Sequence, residues 1–269
     1  MAFIPLYDSN PLRNISRPWV AWGILAINVV VYFGFEGGQL IGTPHRADIG
    51  AFGLIPAVVN GYVGPPAELG RLPEWLTYVT YAFIHADFWH LAGNMIFLWV
   101  FADNVEDALG HVRYILFYVV CSIVSGYAFV LSDPMSHAPV IGASGAVAAN
   151  IGAYLLLHPR AKIWVLILLR IPLRLRAVWI IGFWIAVQLL SAINADATDE
   201  VAWWAHIGGL AVGMVLVLIM RQSGVPLFAP APNETAPHLF NFHRQEPSTA
   251  NAAPPAAAPD PPVPRGPWS

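Results

Sequence analysis

The stretch VIGASGAVAAN, residues 140–150, sets a serine between glycines at the mouth of an apolar segment. No Asp, Glu, Lys or Arg follows until Arg160. What such a serine is for depends on the medium around it, and composition gives that medium. The chain has 269 residues, 57% hydrophobic and 11% charged, with a mean hydropathy of +0.58. A soluble domain carries about 25% charged residues, so the chain reads as an all-α membrane protein. Its net charge of −3 and the lack of any Lys/Arg run exclude a nucleic-acid partner. The single cysteine, Cys121, excludes an internal disulfide framework. No cleavable leader is expected, because the first 18 residues are polar and no small-residue cleavage pattern follows them.

Apolar runs approaching the roughly 20 residues that cross a bilayer occur six times, at 18–35, 88–102, 112–131, 144–157, 177–193 and 203–220. A seventh, shorter run at 163–169 is followed by Arg170, Arg174 and Arg176 and reads as an interfacial segment. With the N-terminus inside, eleven of the thirteen Lys/Arg fall on the cytoplasmic side, and only Arg46 and Arg71 fall outside. That bias predicts N-terminus and C-terminus both in the cytoplasm. The first outer loop, about residues 36–87, is rich in Gly and Pro yet carries apolar patches, so it is expected to be functional or partly embedded. The expected organisation is a tail at 1–17, a membrane core at 18–222 and a disordered Pro/Ala-rich cytoplasmic tail at 223–269.

Strongly polar side chains at membrane depth are costly and mark functional sites by default. Four stand out: His90 and Asn94 in the second run, Ser144 opening the fourth, and His206 in the sixth. Ser144 precedes Arg160 by 16 residues and His206 precedes Arg221 by 15. At about 1.5 Å per residue both lie roughly 22–24 Å above the inner boundary. His90 precedes Glu106 by 16 residues and shares that height, with Asn94 one turn lower on the same face.

Serine needs an adjacent base to become a nucleophile, and imidazole is the usual one. Ser144 opens a helix, where free N–H groups and the positive dipole end favour a developing oxyanion. Asn94 and His90 can add donors to it. Gly142 and Gly145 remove Cβ bulk that would keep a substrate backbone away. Gly209 and Gly213, one turn below His206, let spans four and six approach closely. Each residue taken alone also fits a structural role, such as a serine bonding a carbonyl one turn back. Their convergence at one depth favours chemistry. His85 and His90 with His206 are not followed by Asp or Glu as in His-Glu-x-x-His, so no metal is expected.

Three motifs in this order, His85-x4-His90-x3-Asn94, Gly142-Ala143-Ser144-Gly145 and His206-x2-Gly209-x3-Gly213, resemble the rhomboid intramembrane serine proteases. The resemblance covers about residues 15–222 and includes Glu106, Leu109 and Gly110. It implies a six-transmembrane-helix rhomboid-like bundle with a long, partly embedded first outer loop. It also implies a Ser144–His206 dyad, with Asn94, His90 and the Ser144 N–H as oxyanion hole, in a water-filled cavity open to the outside. Substrates would be single-span membrane proteins in the lipid bilayer, cut without metal, cofactor or ATP, in the bacterial inner (plasma) membrane. Two positions depart from the family pattern. Leu76-Thr77 stand where many members carry Trp-Arg, and Ala148 stands where some carry an aromatic against the histidine. No carboxylate is placed to orient His206.

Two rivals exist. An inactive rhomboid-like protein that binds membrane clients would be expected to lack Ser144 or His206, and both are here. A six-span transporter with a histidine relay would need a polar path inward, whereas 151–157 and 215–220 are apolar.

Overall fold

The computed structural model describes residues 3–34, 46–64, 72–167, 170–195 and 201–231. Parts of the expected first outer loop, and residues 232–269 of the expected tail, lie outside the described residues. The chain runs β1 (Phe3–Asp8), α1 (Trp19–Gly34), α2 (Arg46–Phe52), α3 (Pro56–Val59), α4 (Thr77–Thr80), α5 (Phe88–Leu109) and α6 (His111–Ser132). It continues α7 (Ser144–Leu157), β2 (Lys162–Ile167), β3 (Ile171–Arg176), α8 (Ala177–Asn194) and α9 (Trp203–Met220). Among the described residues, three helices are both long and apolar enough to cross a membrane: α6, α8 and α9. Helices α1 and α7 are apolar but shorter, and α5 is 22 residues long but carries Asp103, Glu106 and Asp107.

Helix α7 sits at the centre. Of its 14 residues, eleven are buried, and most of these are Gly, Ala or Val. Such a surface lets neighbouring backbones come close, which is how helices associate where lipid gives no hydrophobic drive. Against α9 the fit is tightest. A Cβ added at Gly209 would collide with the Gly145 carbonyl, and one added at Gly213 with the Ala149 carbonyl. From the other side, a Cβ on Gly152 would lie 2.6 Å from the Leu210 carbonyl oxygen. Helix α6 closes the third side, where the Ser125 hydroxyl donates to the Ala205 carbonyl at 2.7 Å.

The all-α expectation is corrected by a three-stranded antiparallel sheet, in the order β1-β2-β3. Residues 163–167, read above as part of an interfacial segment, form the central strand, with Ile163 and Val165 buried. Residues 168–169 lie outside the described residues. The cause is a period of two. Leu173-Arg174-Leu175-Arg176 alternates apolar and charged side chains, which suits a pleated strand better than an interfacial helix. Pro172 is tolerated because β3 is an edge.

Both expected tails begin inside the fold. Strand β1 pairs with β2 from Phe3↔Ile167 to Asp8↔Ile163. Further on, the Asp107 carboxylate accepts the N–H groups of Arg13, Asn14 and Ile15 at 2.6–3.1 Å. Beside it Glu106 accepts from Val20 and Ala21 N–H at 3.0 and 2.7 Å, capping the first turn of α1. At the other end, Phe228 and Ala229 N–H donate to the Leu156 and Leu157 carbonyls at 2.7 and 2.9 Å. Those are final-turn carbonyls of α7 that its own helix cannot satisfy. Residues 223–231 are therefore tied to the core.

The α7–α9 contact gives a sign-determined prediction. Alanine in place of a helical glycine gains about 1 kcal/mol of propensity, whereas overpacking costs about 1–3 kcal/mol. Gly213→Ala meets an unyielding backbone oxygen, while a Cβ on Gly23 meets nothing within 4 Å. Thermal melting in detergent should show Gly213→Ala less stable than wild type and Gly23→Ala at least as stable.

Candidate active site

The first turns of three helices converge on one place. His90 lies in the first turn of α5, Ser144 is the first residue of α7, and His206 lies in the first turn of α9. Local sequence explains each start. Asp87 caps α5, its carboxylate accepting from Trp89 and His90 N–H at 2.7 and 2.9 Å. Gly142 has a φ of +110°, a value open to glycine and strained for other residues, and this bend turns the chain into α7. Its N–H donates to the Tyr81 carbonyl at 2.9 Å. The approach is braced from the segment between α2 and α3, where Leu54 and Val140 exchange backbone hydrogen bonds of 3.0 and 2.8 Å.

Ser144 Oγ and His206 Nε2 are 2.8 Å apart. Both side chains are only partly buried, so a substrate can reach them. Ser144 opens α7, and the positive dipole end of that helix favours a negative charge beside it.

His90 and Asn94 stand beside Gly142, two residues before the serine. A Cβ on Gly142 would lie 2.6 Å from His90 Nε2 and 3.5 Å from Asn94 Nδ2. The Asn94 amide nitrogen is buried and has no hydrogen-bond partner among the described residues. An unsatisfied buried donor costs about 1–3 kcal/mol and calls for an explanation. His90 shows the same readiness. Its Nδ1 accepts the Ala86 N–H at 3.4 Å, which leaves the ring hydrogen on Nε2. Two donors therefore face the space beside Gly142. His85 is fully buried behind them, its Nε2 accepting the Ala143 N–H at 3.5 Å. Burial, and then neighbouring His90, push the His85 imidazole down to about 3. It is neutral at working pH and serves as scaffold.

One expectation is changed and one residue was overlooked. The missing Cβ of Gly145 faces Ser125 on α6, at 2.7 Å from its Cβ, so Gly145 serves helix packing and not substrate approach. The overlooked residue is Gln188 on α8, whose Oε1 lies 2.7 Å from His206 Nδ1. Its signal was present: Gln188 is the most polar side chain in the fifth apolar run, where Ser191 is the other polar residue. The aromatic neighbours of His206 are Trp184 and Trp203, with ring centroids 6.4 and 6.0 Å away. Ala148 is fully buried and contributes no aromatic face. Among the described residues no three His, Cys, Asp or Glu side chains gather as metal ligands would.

The family model described as Rhomboid domain matches residues 72–223, more than half of the 269. Rhomboid protein 1, mitochondrial, of Saccharomyces cerevisiae is 33% identical over 144 residues, 50% of this chain and 38% of the yeast protein. RHOMBOID-like protein 12, mitochondrial, of Arabidopsis thaliana is 30% identical over 163 residues, covering 54% of this chain and 46% of the plant protein. The matches thus span less than half the length of these two relatives. A Bacillus subtilis protein, YdcA, whose name includes the words rhomboid protease, is 29% identical over 151 residues, covering 55% of this chain and 69% of that protein.

A serine hydrogen-bonded to an imidazole should react with a fluorophosphonate probe. Peptide mapping should find the adduct on Ser144, and His206→Ala should slow labelling by about 10²-fold or more, the scale of a lost general base. An unlabelled wild-type protein would show that the serine is not activated.

Proposed function

The chain belongs to the rhomboid family, and we propose that it is an intramembrane serine endopeptidase with a Ser144–His206 dyad. The observation that carries the reading is the 2.8 Å contact from Ser144 Oγ to His206 Nε2 at the start of a buried helix. Oγ attacks the scissile carbonyl while Nε2 takes its proton. The tetrahedral oxyanion receives hydrogen bonds from Asn94 Nδ2, His90 Nε2–H and the Ser144 N–H. The imidazolium then gives its proton to the leaving amine, and the C–N bond breaks. Water, with its proton taken by the same nitrogen, releases the acyl group from Ser144.

Six spans, α1 and α5 to α9, form the membrane core at 18–222 in this reading, with both termini in the cytoplasm of a bacterial cell. The length of α7 supports a site inside the membrane. Its 14 residues rise about 21 Å, short of a hydrocarbon core of about 30 Å. The Leu157 end is followed by His158, Pro159, Arg160 and Lys162, a sequence suited to an aqueous boundary. The Ser144 end is then the one that stops within the bilayer, which calls for a water-filled depression above it. Substrates are single-span membrane proteins, cut near the extracytoplasmic end of the span. A protein that only retains membrane clients would have no use for an unpartnered donor beside a serine–imidazole pair.

The direct test is turnover of a single-span substrate by purified protein in detergent or vesicles. Ser144→Ala and His206→Ala should each abolish cleavage with little change in melting, because nucleophile and base act as a unit. Substantial cleavage by Ser144→Ala would overturn the dyad.

A second measurement addresses the donors. Asn94 contributes mainly in the transition state, since the ground-state carbonyl does not yet carry the charge. Asn94→Ala should lower kcat by about 10²–10³ with KM nearly unchanged, and His90→Ala should do so more weakly. Full kcat with earlier melting would assign Asn94 to the scaffold.

A further inference from the structure

We propose that Gln188 is a positioning residue that holds His206 in the one tautomer and ring orientation able to accept the Ser144 proton. The inference rests on the dyad reading above and adds a third member to it.

Both ring nitrogens of His206 are engaged, Nε2 with Ser144 Oγ at 2.8 Å and Nδ1 with Gln188 Oε1 at 2.7 Å. A neutral imidazole carries one hydrogen. An amide oxygen can only accept, so that hydrogen sits on Nδ1 and Nε2 presents its lone pair to the serine. In the other tautomer an Nε2–H would face Oγ, and no base would be available. A ring flip about the Cβ–Cγ bond would carry both nitrogens away from their partners. Gln188 opposes both errors with one hydrogen bond.

The position of Gln188 is specific. It is 6% exposed, and it shares the inward face of α8 with Ile181 and Ala192, whereas Trp179, Phe183, Leu190 and Ile193 are exposed on that helix. Trp184, one turn earlier on α8, lies at 30° to the imidazole, and Trp203 meets it nearly edge-on at 86°. These ring contacts flank the imidazole without distinguishing one nitrogen from the other. Only a polar group can, and Gln188 is the one bonded to Nδ1.

The choice of an amide over a carboxylate has a physical reason. An ionised carboxylate at this depth carries a large desolvation cost. A neutral amide avoids it and still offers its dipole to the imidazolium that forms during attack. The absent carboxylate noted in the sequence is thereby replaced from α8, as is the aromatic absent at Ala148.

The test compares Gln188→Met, which keeps length and removes the acceptor, with Gln188→Glu, which keeps shape and restores one. Cleavage of a single-span substrate is followed from pH 5 to 9, with melting of each protein. Gln188→Met should lower kcat roughly 10–100-fold, the scale for losing a group that orients a functional histidine. KM and the melting temperature should stay near wild type. Gln188→Glu should recover most of kcat above neutral pH. Its carboxylate favours the imidazolium, so activity should be lost at higher pH on acidification than in wild type.

Wild-type kcat in Gln188→Met, or a loss that only follows earlier melting, would overturn the positioning role. Ser144→Ala, run beside them, separates the two ideas. If it is inert while Gln188→Met is fully active, the dyad stands and the Gln188 proposal falls. If Ser144→Ala still cleaves, both fall together.

Discussion

Helix α7 and helix α9 touch through their backbones, and the meeting of Ser144 with His206 follows from that contact. In lipid there is no hydrophobic gain from hiding one apolar helix against another, so close packing must supply the attraction. Gly209 against Gly145 and Gly213 against Ala149 bring it about, with Gly152 against Leu210 extending the seam. Ser144 is one residue before the first contact on its helix, and His206 is three residues before the first contact on the other. Their 2.8 Å separation is therefore a property of helix register. A slip of one turn, about 5.4 Å, would part them entirely. Helix α6 prevents it by gripping α9 from behind, through Ser125 at Ala205 and through Ala128 against Gly208.

Polar side chains gather in two places. Around Ser144 stand an amide on α5, imidazoles on α5 and α9, and a second amide on α8, with the Asp87 carboxylate capping α5 beside His90. Further carboxylates gather at the far end of α5, where they accept backbone N–H groups and Glu106 also meets the His111 imidazole. Asp107 holds the segment before α1, and Glu106 holds the start of α1 itself. A carboxylate that accepts several N–H bonds is well satisfied without a counter-ion. The segment before α1 is thus anchored at the end of α5 away from His90 and Asn94.

The sequence carried the helices and the two principal side chains because both leave strong local marks. Long apolar runs mark helices plainly, and a serine, two histidines and an asparagine set in such runs are costly enough to draw attention. What it hid was relational. The sheet was missed because six-residue strands look like short helical segments until their partners are known, and one of the two partners of 162–167 lies far away at residues 3–8. Gln188 was missed because an amide has no charge to draw attention, although a lone Gln on an apolar helix meets the same depth criterion as Asn94. Residues 223–231 were missed because composition cannot reveal that the carbonyls ending α7 still need donors.

Strand β1 has a bearing on how the molecule is made. Ser9 bonds the Lys162 carbonyl across 153 positions, and Tyr154 reaches Asp8 across 146. The N-terminal residues leave the ribosome first and find their mates only after α1, α5, α6 and α7 have been synthesised. Until then, the strand waits with its hydrogen-bonding edge open, a state that invites pairing with the wrong chain. Closing so long a loop is slow but costs little more entropy than closing a shorter one, since that cost grows only with the logarithm of length. Strand β1 is thus a late latch. Its pairing partner exists only once the central helix has been made, although its own residues are made long before.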